Sequence, residues 1–422
     1  EVERAVADLT ARGVDLIATV HLAYSPSLES VDALAKSDLP LLLLDTTPAA
    51  RFDETATATD MMLNHGIHGV QDLACMLRRR GRDYALAVGH VNSDEFLDEA
   101  VGFARAAVVA ARLREMTVLV FGDEFVGMGD FAVETKVLAR ELGIKVRRMP
   151  VSEIAAAMAD IDEHEVESEM AADRARFDCS DVPEEVLRTS NHVGLAVRRL
   201  VRDAGAGAFS FNFASFTPEA GAPTVPFLEA SKAMAQGVGY AGEADAMTAG
   251  FVGALLRGIG SGTFTEMFCP DWEGGSIFMS HMGECNVALA DGEARLVEKD
   301  YGFSEVSNPA VAVFALRRGP ATLVNLAPGP DNSFDLIAAA VEVLDRGPTE
   351  GFPEAPHFWI GVGNGEQGTG NGDDERPEAK LRGMLRRYSE AGGTHHSALL
   401  MGDQIETLRQ MAKLVGAGFV VV

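Results

Sequence analysis

Apolar positions in the first ninety or so residues alternate between two rhythms. Helical spacing occupies 3–12, 30–37 and 69–79, and a short apolar run follows each, at 15–20, 39–44 and 84–88. Amphipathic helices alternating with short buried strands predict a parallel sheet with crossover helices. The alternation opens on a helix, so a first strand-helix-strand unit is expected to be missing from this stretch or from the sheet. A second run of the same kind begins with a strand at 116–123 and continues through a helix at 132–142 and a strand at 144–148, returning as a strand at 207–213. Between them, 152–188 is rich in charge and poor in aromatic residues, and it is expected to form solvated helices. Met247, Phe251, Leu255 and Ile259 then recur at four-residue steps, predicting a helix with one apolar stripe that Gly258 and Gly260 end.

Beyond Gly262 the period falls toward two. Segments 286–290 and 293–299 flank Asp291-Gly292, and 311–316 and 321–326 flank a turn at 317–320, so two hairpins are predicted. The expected fold class is α/β, with two Rossmann-like (flavodoxin-like) parallel-sheet domains followed by a C-terminal antiparallel β-barrel domain. Their expected bounds are 1–115, 116–262 and 263–422.

Composition narrows the partners. The chain has 422 residues, 47% of them hydrophobic, which is enough for more than one core. A formal net charge of −27 argues against nucleic acid and anionic membrane, because phosphate recognition needs clustered Lys and Arg. Cys75, Cys179, Cys269 and Cys285 have no CxxC spacing, which fits a reducing compartment without disulfides. No window approaches the ~20 apolar residues of a membrane span, and the first residues carry no basic-flanked leader. A cytoplasmic protein is expected. The segment at 363–368 reads GxGxxG, but the TGNGDDERPE that follows cannot continue as the helix that would hold a pyrophosphate, so no dinucleotide site is assigned.

Candidate chemistry gathers between 239 and 286 and in a later histidine pair. Glu243 precedes the predicted helix at 245–257, where the helix dipole favours a carboxylate; simple capping accounts for it equally well. Glu266 interrupts an apolar run, and burying it unpaired would be costly, which favours a cation partner. His281 stands among apolar neighbours, as a hydrogen-bonded core histidine also would. His395 and His396 are adjacent, and on an extended segment they would face opposite ways, so a single ion is expected to engage one of them. Carboxylates and imidazoles from separate segments form a usual ligand set for a divalent ion.

Taken in order, AGEADAMTA, GTFTEMF, SHMGEC and GGTHHS resemble the L-arabinose isomerase family. Upstream, HLAYSP from His21, IHG from Ile67 and FGD from Phe121 are similar to further stretches of that family. The resemblance implies a metal-dependent aldose–ketose isomerase of cytoplasmic, oligomeric habit, a trimer or hexamer. It implies Glu243, Glu266, His281 and His396 as metal ligands and Glu243 and Glu266 as the acid/base pair. Mn²⁺ is the expected ion, with Co²⁺ or Zn²⁺ as competitors. Phe213 and His395 are implied at the sugar pocket, and Tyr24 and His68 at the pocket of a neighbouring subunit. The chain departs from the family's Trp-Lys at Ala246-Met247 and from its Asp-Tyr at Met267-Phe268, which leaves the sugar open: L-arabinose, L-fucose, D-galactose, a tetrose or a deoxy sugar. A sugar-binding protein of the same fold without turnover is the alternative from another class.

Overall fold

The computed structural model describes residues 1–362 and 376–422, and the glycine motif at 363–368 falls outside the described residues. The chain divides into two compact units, Glu1–Ala111 and Arg112–Val422.

In the first unit, α1 (Val2–Ala11), β1 (Ile17–Val20), α2 (Val31–Lys36), β2 (Leu41–Thr47), α3 (Ala58–Asn64), α4 (Ile67–Arg79), β3 (Ala85–His90) and most of α5 (Asp94–Arg114) follow one another. The strands form a parallel sheet in the order β1-β2-β3. Its buried face is built from Ile17, Leu41 and Leu43, packed against Val31 and Leu34 of α2 and Val70, Leu73 and Leu77 of α4. The helix-strand rhythm of the sequence is therefore the rhythm of this layer.

The second unit opens with β4 (Thr117–Phe121), α6 (Thr135–Val137, prolonged by a wider turn over Leu138–Leu142), β5 (Lys145–Met149), α7 (Ser152–Met158), α8 (Glu163–Arg176), β6 (Asp178–Asp181), α9 (Glu184–Asp203), β7 (Ala208–Phe211), α10 (Phe227–Ala235), β8 (Gly239–Ala241) and α11 (Ala246–Gly258). Four strands make a parallel sheet in the order β5-β4-β7-β8. The chain leaves β4 toward β5 on one side and reaches β7 on the other, and in such sheets ligands bind beyond the carboxyl ends of the strands.

There follow β9 (Gly262–Asp271), β10 (Ser276–Ser280), β11 (Arg295–Glu298), β12 (Ala310–Val313), β13 (Gly319–Pro328), β14 (Phe334–Val343), β15 (His357–Val362), α12 (Pro377–Glu390), β16 (His396–Met401), α13 (Ile405–Val415) and β17 (Gly418–Val421). Strands β13-β16-β9-β10-β15-β14 close on themselves through a long β13–β14 pairing, giving a six-stranded antiparallel barrel with β17 added parallel to β14. The expected fold class is thus observed. Among the described residues no helix is long and apolar enough to cross a membrane.

Three local expectations are corrected. Asn286 caps a short 3₁₀ turn over Val287–Leu289, so no hairpin forms around Asp291-Gly292. Instead β11 pairs with β12 and, in parallel, with β6. The second expected hairpin fails because β12 and β13 enter different sheets, and β13 folds back on β14. Alternation fixes that a segment is a strand and leaves its partner open. The charged segment at 152–188 is also less solvated than expected: Val166, Met170 and Asp173 are buried on α8. Asp173 takes both its contacts inside, from the Lys232 ammonium at 2.9 Å and the Asn191 amide at 2.8 Å.

Candidate metal centre

Glu243 is placed by a backbone turn that side chains rarely adopt. As β8 ends, Glu243 and Ala244 take φ of 59° and 61°, the left-handed region, before Asp245 starts α11. A strained turn of this kind persists only where its surroundings hold it, and such turns concentrate at functional sites. Here the Ala244 N–H is tied to the Phe211 carbonyl at 3.0 Å and the Asp245 N–H to the Gly242 carbonyl at 3.0 Å.

The other groups are assembled by barrel register. Glu266 on β9 lies opposite His396 on β16 and opposite Ser280 on β10, and His281 is the next residue after Ser280. Segments more than a hundred residues apart in sequence are thereby brought side by side on one end of the barrel. Gly242 must be glycine for this arrangement, since a Cβ there would stand 2.4 Å from Cε1 of His281.

His396 is wholly buried, and its ring stacks on Phe131 at 4.8 Å between centroids and meets the edge of Phe264 at 5.0 Å. Its Nδ1 lies 2.8 Å from the carboxylate of Asp245, whose other oxygen caps α11 through the Thr248 N–H. Nδ1–H is thereby assigned as the donor to Asp245, and Nε2 is the atom that faces the two glutamates. Nε2 is 2.9 Å from Glu266 Oε1, without hydrogen-bond alignment, and 3.6 Å from Glu243 Oε2. Both His396 Nε2 and Glu243 Oε2 are buried polar atoms with no hydrogen-bond partner. Buried polar atoms left unpaired are expensive, and several aimed at one point fit an absent ligand. Donor atoms of Glu243, Glu266, His395 and His396 all lie within 4.8 Å of one another, close to the span of about 4.6 Å that two ligands at roughly 2.3 Å from one ion can have. The donor set, carboxylate and imidazole without thiolate, suits Mn²⁺, Co²⁺ or Zn²⁺.

Electrostatics point the same way. Burial opposes ionisation of Glu243, yet the imidazoles of His395, His396 and His281 outweigh it and hold the carboxyl at about 2. For His396 burial favours the neutral ring, but Asp245, Glu243 and Glu266 together push its pKa well above the ordinary histidine value. The pocket is thus built to attract positive charge.

His281 comes near this group without joining it. Its Nε2 is 3.6 Å from Glu266 Oε1, and its ring centroid is 5.9 Å from that of His396. Its Nδ1 is held at 2.8 Å by Glu284, which also accepts the Gly283 N–H at 2.8 Å and the Tyr240 hydroxyl. His395 does join, with its ring only 4.4 Å from the His396 ring. The expectation that the pair face opposite ways is therefore corrected: His395 lies in the turn before β16, where strand alternation does not apply. That turn is pinned by Asn325, which donates to the His396 carbonyl at 2.6 Å, and by Tyr388, which donates to the Thr394 carbonyl at 2.6 Å.

The remaining candidates lie elsewhere. Phe213 follows β7 in a short 3₁₀ turn, half-buried between Phe125 at 5.2 Å and Phe303 at 6.0 Å. Tyr24 and His68 belong to the first unit, where their rings meet edge to face at 6.3 Å and both are exposed. Sequence reasoning missed Asp130, Asp245 and Glu284, the carboxylates that hold the three imidazoles. The only signal for two of them was their place inside GEADA and SHMGEC; Asp130 had none.

Comparison with known proteins follows this geometry. The family model for the L-arabinose isomerase central domain matches residues 118–260, and that for the L-arabinose isomerase C-terminal domain matches 261–370, together more than half of the chain. The chain belongs to the L-arabinose isomerase family. It is 28% identical to the L-arabinose isomerase of Nocardioides sp., over 100% of this chain and 83% of that protein. Against the L-arabinose isomerases of Aeromonas hydrophila subsp. hydrophila and Bacteroides thetaiotaomicron the identity is 26%, over 97% and 96% of this chain and 81% and 79% of theirs. The aldose–ketose isomerase expected from the sequence motifs is met at the level of the family.

Proposed function

We propose that this protein is a metal-dependent, cytoplasmic aldose–ketose isomerase acting on an open-chain, L-arabinose-like sugar through a cis-enediol, with Glu243 and Glu266 as acid and base. The observation that carries the reading is the convergence of carboxylates and imidazoles from separate segments on one point, where Glu243 Oε2 and His396 Nε2 are buried without partners. Glu243, Glu266 and His396 would hold the ion, with His281 the fourth ligand that the family resemblance implies and Mn²⁺ the preferred metal. When bound, a divalent ion supplies charge stabilisation at neighbouring oxygens of the sugar.

The chain's own residues supply the proton chemistry. Isomerisation moves a proton between C2 and C1, which needs one group to accept it and one to return it. Glu243 and Glu266 reach the same point from different elements, the turn after β8 and the barrel strand β9, so a sugar there meets both carboxylates. Phe264 and Phe131 wall the imidazoles with apolar rings, which excludes water from the region where charge develops.

A second reading keeps the chemistry and changes the sugar. Of the departures from the family, Ala246 and Met247 are buried in the first turn of α11, and Met267 packs toward Ala327 and Ile337 of the barrel and Tyr388 of α12. Phe268, two residues beyond Glu266 on β9, lies where the register against β10 shifts; it is 45% exposed and its ring is 6.4 Å from that of Phe278. Apolar residues where the family has Lys and Tyr fit a less polar substrate contact, with L-fucose, D-galactose, a tetrose or a deoxy sugar in place of L-arabinose. Metal analysis joined to a ketose-formation screen over pentoses, hexoses and deoxy sugars separates the readings; turnover of no sugar by metal-loaded protein would leave only a binding protein.

We further propose that the active unit is a homo-oligomer, a trimer or hexamer, in which Tyr24 and His68 complete a neighbour's sugar pocket. Their exposure in the first unit supports this. A head-to-tail contact of that kind closes into a ring. Inactive His68→Ala chains mixed with inactive Glu266→Gln chains are expected to recover part of the activity, and no recovery after demonstrated subunit exchange would place the whole site in one chain.

A further inference from the structure

Three imidazoles at the centre are built alike. His396 has its Nδ1 on Asp245 at 2.8 Å, His281 has its Nδ1 on Glu284 at 2.8 Å, and His395 has its Nδ1 on Asp130 at 2.6 Å. A carboxylate on Nδ1 fixes the tautomer, orients the ring and leaves Nε2 as a more basic donor, which is how metal-binding histidines are commonly prepared. The family resemblance places His395 at the sugar, and it supplies nothing for Asp130.

Asp130 is committed to this one task. The same oxygen, Oδ2, accepts both the His395 ring at 2.6 Å and the His395 backbone N–H at 3.0 Å, so ring and turn are fixed together. The contact joins segments 265 residues apart in sequence. It is also anchored by its neighbour, since Phe131 lies flat on the His396 ring, with 5° between the planes. Held this way, His395 Nε2 stands 3.6 Å from Glu243 Oε2 and 3.9 Å from Glu266 Oε1. Two ligands of one ion at roughly 2.0–2.3 Å from it can be no more than about 4.6 Å apart, so both separations are short enough for one ion to be shared. A ring meant only to meet the sugar from the rim would not need its Nε2 between two metal-binding carboxylates.

We infer that Asp130 is a positioning residue that commits His395 to the centre as a metal donor, in addition to Glu243, Glu266 and His396. The inference rests on the reading of the centre as a divalent-ion site. Its consequence is that the Gly392-to-His396 turn contributes two adjacent imidazoles to one ion, and that the loop between β4 and α6 controls metal affinity without touching the metal.

The test uses full-length protein, stripped and reloaded with Co²⁺. Each coordinated histidine that keeps an Nδ1–H gives one solvent-exchangeable, strongly shifted proton resonance in the Co²⁺ protein, so the spectrum counts imidazole donors. The dissociation constant for Co²⁺ is read in parallel by competition with a chelator. His395→Gln and Asp130→Ala are each expected to lose one such resonance, and Asp130→Ala to weaken Co²⁺ binding by about 10–100-fold. Asp130→Asn, whose amide oxygen still accepts from Nδ1–H, is expected to recover part of the affinity. A purely structural Asp130 would lower the unfolding temperature of the metal-free protein without changing the resonance count. Unchanged counts and affinities in folded His395→Gln and Asp130→Ala would overturn the inference while leaving the metal site standing. Failure of the unmutated protein to bind Co²⁺ would overturn both.

Discussion

The first sheet and the central sheet are made from the same parts, parallel strands linked by helices, yet they are buried to different depths. In the central sheet Val118, Leu119, Val120 and Phe121 of β4 have no exposure, and Ala208, Phe209 and Phe211 of β7 have at most 1%. In the first sheet Ile17, Leu41 and Leu43 are buried on one face, while Val20, Leu86 and Val88 are 52%, 44% and 54% exposed. A sheet covered on both faces holds its strand ends rigidly, and Glu243 springs from such an end. The half-covered sheet carries Tyr24 and His68, groups proposed to act on a neighbour. The carboxylate and imidazole cluster thus sits on the densely packed part of the protein, and the proposed contact residues on the open part.

The largest effect that would break this comparison lies in the centre itself. Glu266→Gln is expected to lower turnover by about 10²–10⁴-fold with little loss of stability, because it removes the proposed proton-transfer group and keeps the side-chain volume. Loss of soluble protein instead would mean that Glu266 is structural. Next is packing: Phe209→Ala in the fully covered sheet should cost about 3–5 kcal/mol in denaturant unfolding, through lost burial and the cavity left behind. A cost near zero would show that the central sheet is no tighter than the first.

A smaller effect is expected in acid. Burial works against ionisation of Glu169, but Arg198 and Lys232 outweigh it and hold the carboxyl at about 2 instead of 4.5. A depressed folded-state pKa means that the stabilisation is fully present above about pH 4.5 and is lost as pH falls toward 2. Glu169→Gln should therefore flatten the fall in unfolding temperature across that window, whereas a separate Val88→Ala variant should keep the pH dependence of the parent. An unchanged slope would remove Glu169 from the account. The smallest effect sharpens the contrast from the other side: Val88→Ala should change stability by no more than about 0.5 kcal/mol in the isolated chain. A larger cost that depends on protein concentration would show that a partner covers this face.

Legibility in the sequence followed the range of the interactions involved. The three strands of the first sheet and the helices α1, α2 and α4 were predicted within a few residues, because their apolar spacing is local: a helix expected at 69–79 is Ile67–Arg79, and a strand expected at 84–88 is Ala85–His90; α3 and α5 were not predicted. The two hairpins beyond Gly262 were misread, since Ala310–Val313 has the apolar character of any buried strand and nothing local tells it to join β11 and not β13. Glu266 was legible as a carboxylate in an apolar run, because that pattern is itself an energetic anomaly. Asp130 was not, because an acidic residue in a glycine-rich loop looks like solvent-exposed charge until its histidine partner is found.

The sequence by itself determined the fold class, the family, many of the elements and the acidic and imidazole residues proposed to carry the chemistry. Tertiary structure alone decided which histidines meet the glutamates. The order of strands in the barrel sets His396 opposite Glu266, the left-handed turn after β8 aims Glu243 at the same point, and a loop from the central sheet turns His395 inward. Convergence of this kind depends on register and loop path between segments distant in the chain, and no local spacing encodes either.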